Sequence, residues 1–196
     1  MTGRREALRQ NASWCALVCA QHGVGTRDDG RLLVTDGPPP PYFPHAMTLD
    51  PATTADEVVA AVGGRDDCGV KDSFAALDLA GAGFTVLFEA SWLVLEGDAA
   101  VPPSGRAHPV AHEVPHPDVV ALEVGGATCV AHRAGGVLGL QSVVCGGDPA
   151  LLAALVAGAR AHLGALPVVG YEHGDDLATA RAAGFADAGP LRVWVR

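Results

Sequence analysis

Lysine is scarce in this chain. Its 196 residues include one lysine, Lys71, and the formal net charge is −9. There is no basic stripe, which argues against nucleic acid or an anionic membrane as a partner. Long apolar runs are missing too, and none reaches the length of a membrane span. The N-terminus, MTGRREALRQNASW, is basic but lacks the apolar segment and small-residue cleavage site of a leader. The expectation is a cytoplasmic protein. Cysteine is scarce and odd in number: Cys15, Cys19, Cys68, Cys129 and Cys145. Most stand in apolar strings such as ATCVAH and SVVCGG, so they read as buried, reduced, hydrophobe-like residues. Cys15 and Cys19 have no second pair to complete four zinc ligands, and no metal is expected. The chain has no Gly-x-Ser-x-Gly elbow, no Walker loop and no dinucleotide fingerprint. His108, His112 and His116 have metal-ligand spacing for a helix, but Pro109, Pro115 and Pro117 forbid that helix.

What is present suits a packed core: 49% hydrophobic and 18% charged residues. A repeat organises it. GVKDSFAALDLAGAGFTVLFEASWLVL (69–95) and PVVGYEHGDDLATARAAGFADAGPLRVWV (167–195) each read strand, short Ala/Leu helix, Gly-Phe, strand with a late tryptophan. The Gly-Phe pairs are Gly83-Phe84 and Gly184-Phe185, and the tryptophans are Trp92 and Trp194. One supersecondary unit used twice is the expectation. Three segments follow: a degenerate first half over 1–97, a proline-rich linker over 98–118, and a second half over 119–196. Within the first half, the spacing predicts a helix from Arg4 to Gln21, strands at LLVT and HAMTLD, and a helix over TTADEVVAAVGG. Thr54 and Glu57 have capping-box spacing there. DGPPPPYFP reads as a stiff loop.

The second half predicts three strands, VVALEV, ATCVAHR and VLGLQSVV, joined by turns at Gly125-Gly126 and Gly135-Gly136. A helix follows, capped by Asp148 with Pro149 at its first position. Strand PVVGYE, helix DDLATARAAG and strand PLRVWV finish the chain. Antiparallel strands followed by strand–helix units imply a mixed-sheet α/β (α+β) fold in two pseudo-repeated halves. This order, with LGLQSVVC, DPALLAALVAGARAHLG, PVVGYE and ATARAAGF, resembles the GNAT superfamily of acyl-CoA-dependent N-acetyltransferases. The resemblance covers 119–196 well and 32–96 weakly.

The resemblance implies acetyl-CoA as co-substrate. The strand 138–145 would pair its backbone with the pantetheine arm, and Val143, Val144, Cys145, Gly146 and Gly147 would hold the cofactor. The family's pyrophosphate loop reads Arg/Gln-x-x-Gly-x-Gly/Ala. Here Gly146 matches the first glycine, Cys145 replaces the arginine and Asp148 replaces the second glycine. A carboxylate there would place negative charge on the anion site. The family's tyrosine acid, four residues before Gly-Phe, is replaced by Ala180, and by Leu79 in the first copy. Tyr171 is the nearest tyrosine. His173, or Glu172, Asp175 and Asp176 beside it, could serve as base, as could Glu123 or Glu89. Alternatively Tyr171 packs its ring, His173 sits in a capped turn and Glu123 faces water. Two functions stay open: an acetyltransferase (acyltransferase) acting on a small primary amine, cationic given the net charge, or a non-catalytic binding module with a lost cofactor site. A homodimer is left open.

Overall fold

The computed structural model describes residues 3–196. In chain order its elements are α1 (Arg4–Gln21), β1 (Thr26–Asp28), β2 (Leu32–Thr35), β3 (Ala46–Thr48), α2 (Ala55–Val62), β4 (Gly69–Asp72), a 3-10 turn (Ala80–Ala82), β5 (Thr85–Leu95), β6 (His108–Val110), β7 (Val119–Val124), β8 (Ala127–Ala134), β9 (Val137–Val144), α3 (Pro149–Leu163), β10 (Val168–Glu172), α4 (Gly174–Ala182) and β11 (Ala186–Val195). No helix among the described residues is long and apolar enough to cross a membrane. The mixed α/β class is as expected.

Two compact units emerge. The first comprises Met1–Asn11 and Ser91–Ala188, the second Ala12–Ala90 and Gly189–Arg196. They are not the sequential halves 1–97 and 119–196: the first unit closes on the end of β5, and the second on the end of β11. In the first unit, β7 and β8 pair antiparallel, as do β8 and β9; β9 and β10 pair parallel, and β10 pairs antiparallel with the end of β5. In the second, β1 and β2 pair antiparallel, as do β2 and β3; β3 and β4 pair parallel, and β4 pairs antiparallel with the end of β11. The two series are the same.

The first unit has its core under α3. Leu152, Leu155 and Ala159 pack on Leu122, Leu138 and Leu140, with Ala180 and Phe185 beside them. The helix starts where Asp148 takes the N–H groups of Ala150 and Leu151, with Pro149 supplying a preset φ. The segment 98–118, expected as a linker, lies along this unit. Ala100 donates to Ala183 and Ser104 to Ala150. His108–Val110 becomes an edge strand on β7. An edge tolerates Pro109 because one side of the strand needs no partner. Gly158 is required where the segment crosses α3, since a Cβ there would come within 2.7 Å of the Ala107 Cβ.

The first turns of α1 dock on this unit through amides. Gln10 and Asn11 are buried, as are His132 on β8 and Gln141 on β9. Asn11 Nδ2 donates to Gln141 Oε1, Gln141 Nε2 donates to Gln10 Oε1, and Gln10 Nε2 donates to the His132 carbonyl (3.2, 3.2 and 2.9 Å). Gln10 Nε2 also lies 3.2 Å from His132 Nδ1, which accepts when the ring is neutral. Buried polar groups need such satisfaction.

The second unit packs Val58 and Val62 of α2 against Leu32, Val34, Val70, Leu79, Phe84 and Trp194. The capping box forms as expected: Thr54 Oγ1 accepts from the Glu57 N–H, and the Glu57 carboxylate accepts from the Thr54 N–H. The predicted helix near Leu79 is only the 3-10 turn, since Gly81 and Gly83 leave little helical propensity. Arg196 ties this unit together. Its guanidinium donates to the carbonyls of Gly63, Arg65 and Ala82 and lies 4.6 Å from the Phe84 ring centroid.

Replacing Arg196 with Ala removes those bonds and the ring contact. The expected loss is about 2–3 kcal/mol in urea melts, with Lys recovering less than half because it lacks the planar fork. A second outcome concerns acid. Burial lowers the His132 pKa and neighbouring His116 lowers it further, against a smaller opposing effect of Asp118. An unfolded imidazole binds its proton near pH ~6.5, the folded one only below that. Between these values the unfolded state holds more protons, so stability falls as pH drops below about 6.5 and levels off once the folded ring titrates. Urea melts between pH 7.5 and 5 check this, and His132→Gln is expected to flatten the slope.

Candidate functional site

The site follows from two parallel strands that part. β9 and β10 are in register only at Leu138↔Val168 and Gly139↔Val169. Both strands run on, β9 to Val144 and β10 to Glu172. Each is fastened on its other side: β10 pairs β5 as far as Glu172↔Ser91, and β9 pairs β8 as far as Val144↔Thr128. Beyond Leu140 and Gly170, whose backbones still lie in contact, residues 141–144 and 171–172 face each other across a cleft. β9 is bent there. Ser142 has φ 50, and the β8–β9 register shifts between Thr128 and Val130. A left-handed serine costs on the order of 1–3 kcal/mol and persists only where its surroundings over-determine it.

The cleft base is lined by Leu140, Val143, Gly170, Glu172, Ala180 and Phe185 and leaves a cavity of ≈ 20 Å³. That holds about one water. Alternation on β10 decides what faces it. Val168 packs in the core beneath α3 and α4, so Gly170 and Glu172 face the same way. Burial among these apolar groups pushes the Glu172 carboxyl up to about 7, and the nearby Asp176 carboxylate raises it further. A carboxyl near pH 7 in a cleft can take or give a proton. In the sequence Glu172 is one of several base candidates at this strand end, alongside His173, Asp175 and Asp176. The alternation that turns it inward needs the end of β10 to be known.

The residues singled out in the sequence are spread unevenly. Tyr171 lies next to Glu172, and its ring packs edge-on against Trp92 with centroids 5.5 Å apart. His173 is the exposed N-cap of α4 and makes no side-chain cap bond. Glu123 stands on β7, opposite Thr128 of β8 and His108 of β6. Two strand spacings, about 10 Å, separate it from β9. The cleft thus brings Tyr171 and His173 close to its mouth and leaves Glu123 outside.

The end of β9 holds Val143 half-buried and Val144 exposed, and Cys145 just after it is buried. Burial raises the Cys145 thiol, so it is no nucleophile at neutral pH. Gly146 and Gly147 are exposed. Asp148 answers the sequence concern directly: its Oδ1 accepts from the Ala150 and Leu151 N–H groups at 2.8 and 3.4 Å. The positive end of α3 is covered by the helix's own carboxylate. At the Gly-Phe turn, Phe185 donates to the Ala180 carbonyl at 3.0 Å, as Phe84 does to Leu79 at 3.3 Å. Ala180 therefore presents only a methyl to the cleft. Among the described residues, no group of three or more His, Cys, Asp or Glu is placed to hold a metal.

No protein-family model matches the chain, and no curated protein does. Solved structures do. The chain is similar to a GCN5-related N-acetyltransferase from Kribbella flavida, with TM-score 0.65 and 18% identity over 96% of this chain and 95% of that one. It is also similar to a putative acetyltransferase of the GNAT family from Novosphingobium aromaticivorans, with TM-score 0.57 and 13% identity over 96% and 97%. The chain has the GNAT fold.

Glu172 gives the site a pH signature independent of any ligand. Folded, it keeps its proton up to about pH 7, whereas the unfolded carboxyl releases it near 4.5. The folded state binds more protons in that window, so stability falls as pH rises from 4.5 towards 7 and then levels off. Glu172→Gln is expected to remove this slope in urea melts at pH 4.5, 6 and 8. An unchanged slope would place its origin elsewhere.

Proposed function

We propose that the chain is an acyl-CoA-dependent N-acetyltransferase acting on a small primary amine. The observation that carries this is the gap between β9 and β10, unpaired and lined by Glu172. Unpaired strand backbone suits an extended amide-bearing arm, since each N–H and C=O wants a partner. Val143 and Val144 would supply that backbone, and Cys145, Gly146 and Gly147 the turn beside the pyrophosphate. Asp148 fits poorly there, because its carboxylate already holds the helix N–H groups. The ≈ 20 Å³ cavity means the strands must also ease apart on binding. The cytoplasm is the location in this reading, in keeping with five buried free cysteines.

Acetyl-CoA supplies an activated acyl carbon as a thioester. In its anionic form, Glu172 takes one proton from the ammonium of the acceptor and leaves a lone pair free for attack. A backbone N–H near Val143 steadies the negative charge that develops on the carbonyl oxygen. Tyr171 is the candidate acid for the departing thiolate, since Ala180 cannot serve. His173 stands as a second base. Net negative charge favours a cationic acceptor. One feature favours a second reading, a non-catalytic binding module: Asp148 and Ala180 together leave the phosphate and acid places unfilled.

Calorimetry with acetyl-CoA separates the two. The enzyme reading expects a Kd of roughly 10–500 µM, within the usual range for substrates. Asp148→Gly should tighten it by about tenfold, because it removes a like charge worth about 1 kcal/mol or more at ~4 Å. The lost cap costs only a few tenths of a kcal/mol when glycine replaces it. In polyamine acetylation assays, kcat/KM should rise with an apparent pKa near 7, and Glu172→Gln should lower it by about 10²–10⁴. No heat at millimolar acetyl-CoA for either protein would favour the non-catalytic module.

A further inference from the structure

We infer that Gln10, Asn11 and Gln141 are positioning residues that hold the β9 wall of the cleft in its parted shape. The functional part of this rests on the acetyl-CoA reading of the cleft. The structural part does not. The three amides sit where β9 and β10 stop pairing. Gly139 makes the last rung with Val169 and also lies opposite His132 of β8. The Gln10 amide rests directly on it: a Cβ built on Gly139 would be 1.9 Å from Gln10 Oε1 and 2.1 Å from Nε2. Gly139 is glycine because that amide occupies its side-chain space. Two residues on, Gln141 is held by both ends of its own amide, accepting from Asn11 and donating to Gln10. The next residue is Ser142, with φ 50.

The chain of bonds has one direction and no spare member. Asn11 donates to Gln141, Gln141 to Gln10, and Gln10 to the carbonyl of His132 on the neighbouring strand. Turning any one amide would set donor against donor or carbonyl against carbonyl at its neighbours. The network therefore fixes Gln141 to α1 on one side and β8 on the other. It leaves Ser142 no room to relax into the extended conformation that would let β9 continue beside β10. All four side chains are buried, so water cannot substitute for a lost partner without opening the site. Helix α1 thus sets the geometry of a strand it precedes by more than a hundred residues.

The test uses variants that keep volume and remove hydrogen bonds. Gln141→Met deletes the amide at the bend, and Gly139→Ala expels the Gln10 amide by direct collision. Hydrogen exchange by mass spectrometry reads peptides covering 140–147 and 168–173. Both variants are expected to exchange at least about tenfold faster there than the wild type, with β7 and β8 unchanged, since local opening differs from global unfolding. In the acetylation assay, KM for acetyl-CoA should rise about tenfold while kcat stays within about twofold, the split expected when binding geometry alone is lost. The inference is overturned if exchange at 140–147 matches wild type in both variants, or if it rises equally across β7 and β8. If the wild type binds no acetyl-CoA, the enzyme reading falls, and the exchange measurement still decides this one.

Discussion

Parallel strands that separate while both continue leave donors and acceptors stranded on two facing edges. That constraint organises the first unit. β10 can part from β9 only because five rungs fasten it to β5 on its far side. β9 can part from β10 only because β8 follows it nearly to its end. Leu152 of α3, Ala180 of α4 and Phe185 of the turn after α4 then line the gap, so that a carboxyl at the strand end loses water on one side. The raised Glu172 carboxyl is therefore a result of the parting and not of a neighbouring charge alone.

Much of this was legible in the sequence where the signal is local. Asp148-Pro149 marked the start of α3, and the Thr54/Glu57 box marked α2, because caps act within one turn. The pairs Gly125-Gly126 and Gly135-Gly136 marked hairpins, and all four residues have positive φ. The short strands β1 and β6 were missed, since three residues without a buried one carry no alternation to read. Of the candidate site, residues 143–147 and the strand end at Tyr171 were singled out through the resemblance, and their roles remain a proposal. The inward turn of Glu172 was not resolved from that of Glu123, because both stand in strands whose faces depend on distant packing. The amide network was out of reach. Gln10 and Gln141 look like ordinary surface residues until folding places them side by side, and no local pattern links positions so far apart.

The two units present the same series of strand pairings, antiparallel twice, then parallel, then antiparallel. This favours the proposal that the chain is one motif used twice, each copy lending its closing strand to the other. The copies have diverged at the place that matters. In the second unit the place just past β3 and β4 is bridged, with the Ser73 N–H donating to Thr48 Oγ1 at 2.8 Å and Asp72 taking the N–H groups of Phe74 and Leu77. Backbone groups that lie open in the first unit are satisfied locally in the second.

The scarcity of lysine has a chemical consequence. The only ε-amine of the chain belongs to Lys71, in the middle of β4, with 5% of its surface exposed. Twelve arginines carry the remaining basic charge, and a guanidinium stays protonated and unreactive towards thioesters at neutral pH. The surface therefore offers no lysine nucleophile to an electrophile. Such a chain can work beside reactive acyl donors without being modified on its own lysine, and amine-directed labels or cross-linkers will find no lysine handle on the folded protein.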